Sequence, residues 1–325
     1  MRILVTGAAG FIGAHFVRSV LEDLLPGTEG ARVTAVDLLT YAGDRRRLPE
    51  ESSRLSFVRA DITDAARMDG LVPGHDAVVN FAAESHVDRS IAAAEAFVRT
   101  NVLGTHVLLD AARRAGGVRF LQVSTDEVYG SIETGSWDES CPVAPNSPYA
   151  ASKAAADLLV QSFVRTHGLD ARITRCSNNY GPFQHPEKLV PRFTTSLIKG
   201  GRVPLYGDGL NVREWLHVDD HCRALGLVLA KGEPGRVYNI GGTGRTNLDV
   251  TRRLLELLGA PESSVDRVAD RAGHDRRYSV DDTRIRTELG YAPRVPFDEG
   301  LASTVAWYTE NPDWWGPLRG DSAAG

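Results

Sequence analysis

The chain has 325 residues, of which 42% are hydrophobic and 24% charged, and its mean hydropathy is -0.22. That composition suits a packed globular chain of one large domain or two and excludes disordered and fibrous classes. Thirty-seven Lys and Arg against forty-two Asp and Glu leave a net charge of -5, so nothing draws the whole molecule to nucleic acid or an anionic membrane, and an anionic ligand has to be held by local groups.

In chain order, short apolar runs occupy 2–7 (RILVTG), 32–37, 55–61, 77–83, 118–125, 170–176 and 236–242. Longer helix-period segments separate them. Val- and Ile-rich runs without polar alternation suit strands covered on both faces, so the expected fold is α/β, a doubly wound parallel (Rossmann) sheet. Helices are predicted over 91–114 and 148–167, the second with Pro148 in its first turn, where the missing N–H does no harm. After Cys176 the rhythm loosens, with further helix patterns at 246–259 and 297–310. The expected division is a nucleotide-binding domain over 1–177, to which about 212–242 returns, and a smaller mixed lobe over 178–325. No stretch approaches the ~18 apolar residues of a membrane span, and the chain enters a strand pattern at once, so a cytoplasmic protein is expected. Cys141, Cys176 and Cys222 are odd in number and widely spaced, and read as reduced packing residues.

The first run leads into TGAAGFIG, which spaces Gly7, Gly10 and Gly13 by three. Glycines here let the backbone turn sharply and approach a pyrophosphate lying on the amides of the next helix. Asp37 closes the second run, where an acid accepts from a ribose and repels a 2′-phosphate; this favours NAD over NADP. Arg45, Arg46 and Arg47 point the other way, but lie eight residues on and read as a solvated face. Asp61 and Ile62 follow the third run, at the place of an adenine edge, although Asp61 could equally cap the next turn.

Tyr149 and Lys153 stand four apart, on one face of the predicted helix. A lysine beside a phenol favours the phenolate, which can take a proton from a sugar hydroxyl. Ser124, Thr125, Asp126 and Glu127 sit just past the carboxyl end of the fifth strand, where open α/β sheets bind ligands. The two adjacent carboxyls read either as an acidic helix cap or as an acid and base with separated pKa values. His217, Asp219, Asp220 and His221 mimic a metal cluster but read better as a strand end with a helix cap, so no metal is expected. His86 and Asp88 read as a loop-stabilising network.

On these residues, and on DLLTYAG, NFAAESHVDRSI, STDEVYGS, PYAASKA, RCSNNYGP, QHPEKLVPRF, PLYGDGLNVREWLHVDDHC and DRAGHDRRYS, the chain resembles the extended short-chain dehydrogenase/reductases, and within them the dTDP-glucose 4,6-dehydratase family. The Thr-Asp-Glu triplet is the sharpest mark: sugar-nucleotide epimerases usually carry small residues at the positions of Asp126 and Glu127, and GDP-mannose dehydratases keep only the Glu. The resemblance implies dehydration of dTDP-glucose by an internal NAD redox cycle. Tyr149 would deprotonate the 4-hydroxyl as hydride leaves C4; Thr125 would position the sugar; Glu127 would remove the C5 proton; Asp126 would protonate the departing 6-hydroxyl; hydride would return to C6. A 4-epimerase with the same Tyr/Lys core is the alternative.

By resemblance, further cofactor contacts fall on Phe11, Ile12, Leu38, Leu39, Thr40, Phe81, Ala82, Ala83, Thr100 and Asn179. Substrate contacts fall on Ser85, Asn178, Glu187, Lys188, Leu189, Pro204, Tyr206, Arg213, Asn247, Arg271 and His274, with Arg213 and Arg271 neutralising a diphosphate. A homodimer through a four-helix bundle is also implied. The chain departs from the family at Ala8, where the loop often has Gly, and has a short connection between STDEVYG and PYAASK.

Overall fold

The computed structural model describes residues 1–270 and 274–319. Its strands are β1 (Arg2–Thr6), β2 (Arg32–Asp37), β3 (Leu55–Arg59), β4 (Ala77–Asn80), β5 (Arg119–Thr125), β6 (Ala171–Cys176), β7 (Asn178–Tyr180), β8 (Val203–Tyr206), β9 (Val212–His217), β10 (Val237–Ile240), β11 (Thr243–Thr246) and β12 (Val265–Val268). Seven of them form one sheet in the order β10-β6-β5-β4-β1-β2-β3, every pairing parallel. The chain winds outward from β1 in both directions, so the carboxyl ends of β1 and β4 face a crevice at the reversal.

Alternating side chains explain why these strands read as unbroken apolar runs. Ile3 and Val5 point to one face and join Phe16, Val17, Cys222 and Leu225 from the helices Phe11–Leu21 and Val218–Lys231. Leu4, Val78 and Phe120 point to the other and join Met68, Leu108 and Phe163 from the helices Ala65–Leu71, Thr105–Ala115 and Pro148–His167. A separate core (Tyr180, Val190, Phe193, Trp215, Leu254, Leu301) holds the helices Leu189–Ile198, Asn247–Leu258 and Phe297–Glu310 against the sheet β11-β9-β7. Of the segment 212–242, residues 212–217 join this small sheet as β9, and the helix Val218–Lys231 and β10 return to the large one. Cys141 is half-buried, Cys176 and Cys222 are buried, and all three are free. Among the described residues no helix is long and apolar enough to cross a membrane.

The predicted helix over 91–114 is not continuous. A helix over Val87–Ala92 ends at the extended Ala93, a short one follows over Glu95–Phe97, and the chain widens into a π-helical stretch over Val98–Gly104 before the helix Thr105–Ala115. The cause is tertiary. Within the wide turn, Asn101 accepts from Glu84 N at 2.9 Å and donates to Glu84 O at 3.0 Å and Ser152 Oγ at 2.8 Å, tying the segment to the β4 loop and to the helix Pro148–His167.

Beneath that helix lies a buried ion pair, Arg175 Nε to Asp157 Oδ2 at 2.9 Å, with the guanidinium 4.7 Å from the Tyr129 ring centre. Removing one partner strands the other charge in the core. Asp157→Ala should therefore lower unfolding free energy by about 3–5 kcal/mol in urea titrations; a loss below about 1 kcal/mol would show that the pair carries little.

Candidate active site

The carboxyl end of β5 carries the two neighbouring carboxyls. Thr125, still extended, caps a short 3-10 turn over Asp126–Tyr129 by accepting from Glu127 N at 3.3 Å, and Gly130 at φ 81° closes the turn where a Cβ would strike the Ala144 carbonyl. Asp126 is 2% exposed; its Oδ1 takes the Thr125 hydroxyl at 3.3 Å and its Oδ2 has no partner. Burial, then the charges of Glu127 and Glu214, push the Asp126 carboxyl well above its ordinary range. This carboxyl holds a proton where an exposed aspartate would have lost it.

Tyr149 and Lys153 come from the helix Pro148–His167, which starts where Ser147 Oγ accepts from Ala150 N at 3.1 Å, ahead of Pro148 in the first turn. Both face inward and are buried. Lys153 Nζ donates to Val123 O at 2.7 Å. Burial lowers the lysine's pKa, and burial followed by the Glu127 charge raises that of Tyr149 far above a free phenol. Desolvation thus works against the phenolate that the Tyr/Lys spacing leads one to expect.

Three adjoining cavities run past these groups. The middle one, about 270 Å³, is lined by Gly7, Gly10, Phe11, Ile12, Gly13, Phe81, Ala83, Thr125, Asp126, Glu127, Tyr149, Lys153 and Asn179. At one end it shares Gly7, Gly10, Phe81 and Ala83 with a second, which adds Asp37, Leu38, Thr40, Asp61, Ile62, Ala82 and Thr100. At the other end it shares Ser85, Glu127, Asn178, Glu187 and Lys188 with a third, which adds Leu189, Pro204, Tyr206, Arg213, Asn247 and His274. Leu39 lines none of the three; it takes φ 57°, donates its amide to Asp37 Oδ1 at 2.7 Å and packs on the core. Arg271 lies outside the described residues.

The glycine loop fits a dinucleotide. A Cβ on Gly7 would come within 2.5 Å of Ala82 N, and one on Gly13 would collide with the Gly7 carbonyl, so only bare backbone packs here. The helix Phe11–Leu21 starts at Gly10 with no side-chain cap, leaving its first amides to an anion. Ala8 sits buried at ordinary backbone angles and donates to Val36 O, so its methyl does not disturb the loop. Asp37 accepts from Ala9 N at 2.8 Å as well as from Leu39 N, and Asp61 accepts from Thr63 N at 2.8 Å, the capping role open to it from the sequence.

The Arg213 guanidinium donates to Val212 O and Asp275 O and lies 4.3 Å from the Tyr278 ring centre. His217 caps the helix Val218–Lys231 by accepting from Asp219 N, Asp220 accepts from the amides of Arg294 and Val295, and His221 meets Asn179 Oδ1 at 2.8 Å. His86 caps the helix Val87–Ala92, and Asp88 lines the third cavity. The sequence reading missed Gln184 and His185 in the middle cavity and Arg192, Phe193, Trp215 and Tyr278 in the third. It also misplaced Arg47, which is buried with its Nη1 on Ala9 O and Ala42 O rather than solvated.

A doubly wound sheet with a glycine loop after β1 and a Tyr/Lys pair beside β5 defines an extended short-chain dehydrogenase/reductase. The family model described as GDP-mannose 4,6 dehydratase matches residues 4–304. The dTDP-glucose 4,6-dehydratase of Streptomyces niveus is 57% identical, over 100% of this chain and 98% of that one. A crystal structure of DesIV, the dTDP-glucose 4,6-dehydratase of Streptomyces venezuelae, with NAD and TYD bound, matches at TM-score 0.96 and 59% identity, over 98% and 100%. The UDP-glucose 4-epimerase of Thermotoga maritima stands further off, at 0.88 and 32% over 95% and 99%. The chain belongs to the dTDP-glucose 4,6-dehydratase family.

The raised Asp126 pKa has a stability consequence with a definite sign. The folded state binds this proton more tightly than the unfolded chain, whose carboxyl titrates near 3.8, so the contribution is complete below that pH and is lost as pH rises toward the folded value. Between pH 4 and 7, wild type should lose stability relative to Asp126→Asn by up to about 1.4 kcal/mol per pH unit. Urea midpoints across that range measure the difference, and a constant difference would mean that Asp126 is ionised throughout.

Proposed function

We propose that this chain converts dTDP-glucose to dTDP-4-keto-6-deoxyglucose with loss of water, using NAD held along the glycine loop and returned unchanged at each turnover. The carrying observation is that Asp126 and Glu127 share one cavity with Tyr149, beside the bare glycine loop. Gly7 to Gly13 would hold the NAD diphosphate, with Asp37 at the ribose and Asp61 and Ile62 at the adenine. When bound, NAD supplies the reversible two-electron chemistry that oxidises C4 and later reduces C6.

The residues do the rest. Tyr149 accepts the proton of the 4-hydroxyl while Thr125 hydrogen-bonds that oxygen, a positioning effect. Once C4 is a ketone the neighbouring C5–H is acidic, and Glu127 removes it. Asp126, kept protonated by burial, gives its proton to the leaving 6-hydroxyl, so that water departs and a C5–C6 double bond forms. Reduction at C6 is completed by return of a proton to C5 from Glu127. Arg213 faces the substrate diphosphate, a role the resemblance also gives to Arg271, and Ser85, Asn178, Glu187, Lys188 and Asn247 hold the sugar nucleotide. Residues 1–177, joined by the returning segment that includes β10, form the cofactor half; 178–325 is mainly the sugar-nucleotide half, and we place the enzyme in the cytoplasm.

We also infer a homodimer. Ile91, Val98, Leu103 and Leu158 are 53%, 55%, 44% and 53% exposed, all on the helical segments over 87–115 and 148–167. A matching pair from a second copy would cover them as a four-helix bundle. Light scattering at micromolar concentration should give twice the 35.3 kDa chain mass, and Leu158→Glu should shift it toward monomer; monomeric wild type would overturn the dimer.

Product analysis decides the reaction. Incubated with dTDP-glucose and no added reductant, the enzyme should give a 4-keto product lighter by one water; a 4-epimer of unchanged mass would replace this reading with the epimerase. Side-by-side dTDP-, UDP- and GDP-glucose should favour the first. Glu127→Gln should cut kcat by about 10²–10⁴ while leaving the dTDP-glucose Kd within about threefold, and equal losses in both would assign Glu127 a structural role.

A further inference from the structure

Arg47 takes part in none of these steps, yet it is among the most buried charges in the molecule, at 1% exposed. Its Nε donates to Phe183 O at 3.0 Å, and its Nη1 to Ala9 O at 3.0 Å and Ala42 O at 2.6 Å. Nη2 is buried with no partner. The nearby carboxylates are committed elsewhere: Asp44 pairs with Arg46, and the two oxygens of Asp37 accept from Ala9 N and Leu39 N. Burial brings the Arg47 pKa down to about 10, which leaves it a cation at neutral pH. The Trp314 ring centre lies 5.2 Å from its guanidinium carbon.

The charges of Asp44 and Asp37 offset part of the cost of burying this cation, but its hydrogen bonds at Nε and Nη1 go to carbonyls and one N–H group is unused, so a further anion nearby would be stabilised by it. The place where an anion would do so is adjacent. Ala9, whose carbonyl Arg47 holds, lies inside the glycine loop, and Arg47 lines the same cavity as Gly7, Gly10 and Gly13. The helix that begins there has no side-chain cap. Uncapped amides and a cation with an unused N–H group thus border one cavity.

Resting on the reading that NAD occupies this cavity, we propose that Arg47 is an electrostatic anchor for the cofactor's diphosphate, a positioning residue acting through the Gly7–Gly13 backbone. The competing role is a purely structural latch that ties the turn before β3 to the loop. The two differ in what they do to ligands with and without phosphate. A charge beneath the loop strengthens binding of a diphosphate and leaves a bare nucleoside alone; a latch that misplaces the loop weakens both.

The test is isothermal titration of the full chain, freed of cofactor, with NAD, ADP-ribose and adenosine, for wild type, Arg47→Met and Arg47→Lys. The expected result is that Arg47→Met weakens NAD and ADP-ribose about 10- to 100-fold, leaves adenosine within about twofold, and that Arg47→Lys recovers most of the loss. Added salt should weaken NAD binding more steeply in wild type than in Arg47→Met. If Arg47→Met does not fold, Arg47→Gln against Arg47→Lys gives the same comparison. Wild type that binds NAD while the neutral variant binds it equally well, or a variant that loses adenosine as fully as NAD, would overturn the proposal and leave the NAD site standing. Wild type that binds no NAD would overturn the cofactor reading and the proposal with it.

Discussion

The buried contact between Lys153 Nζ and Val123 O joins the helix Pro148–His167 to the strand that ends in Thr125, Asp126 and Glu127. Because a lysine in the core has to find acceptors, this contact fixes how the helix lies on β5, and with it where Tyr149 stands relative to the two carboxyls. One turn further along the same helix, Asp157 pairs with Arg175 on β6, so the helix is registered against two neighbouring strands by charged groups as well as by packing. The burial that raises the pKa of Asp126 also raises that of Tyr149 and lowers that of Lys153, so one desolvated pocket shifts all three groups toward their neutral forms.

The net charge of -5 makes this arrangement more demanding, because the proposed ligands are themselves anionic. The cations are accordingly placed one by one. Arg47 sits under the glycine loop and Arg213 in the outer cavity, and both donate to backbone carbonyls. Carbonyl anchoring fixes a guanidinium while leaving its charge available to a phosphate. The bare backbone of Gly7 and Gly13 then permits the close approach that makes such a charge effective.

Much of the fold was legible because the strands of a sheet covered on both faces have no choice but to be apolar throughout; β2 and the helix Pro148–His167 end where the sequence patterns end, the latter at Gly168 with φ 64°. Most of the described motif residues likewise gather in three adjoining cavities, since their motifs fall at strand ends, in the loops after them or, for Tyr149 and Lys153, on the helix that packs beside β5. What was not legible depends on contacts between distant segments. The π-helical stretch exists for the bonds Asn101 makes to Glu84 and Ser152, which no local periodicity encodes. Arg47 reads as surface in its run of three arginines and is buried because Phe183 and Trp314 close over it. Phe193 and Trp215 look like core aromatics, and they are, while also lining the outer cavity.

The account stands on a single enclosed site that oxidises, eliminates and reduces without releasing its electrons. The most direct measurement gives the enzyme a mixture of dTDP-glucose deuterated at C4 and unlabelled dTDP-glucose carrying a separate heavy-atom tag, and follows the deuterium by mass spectrometry and NMR. The account predicts deuterium at C6 of the same molecules that began with it at C4. Deuterium lost to solvent, carried into free reduced cofactor, or transferred to the tagged molecules would contradict it.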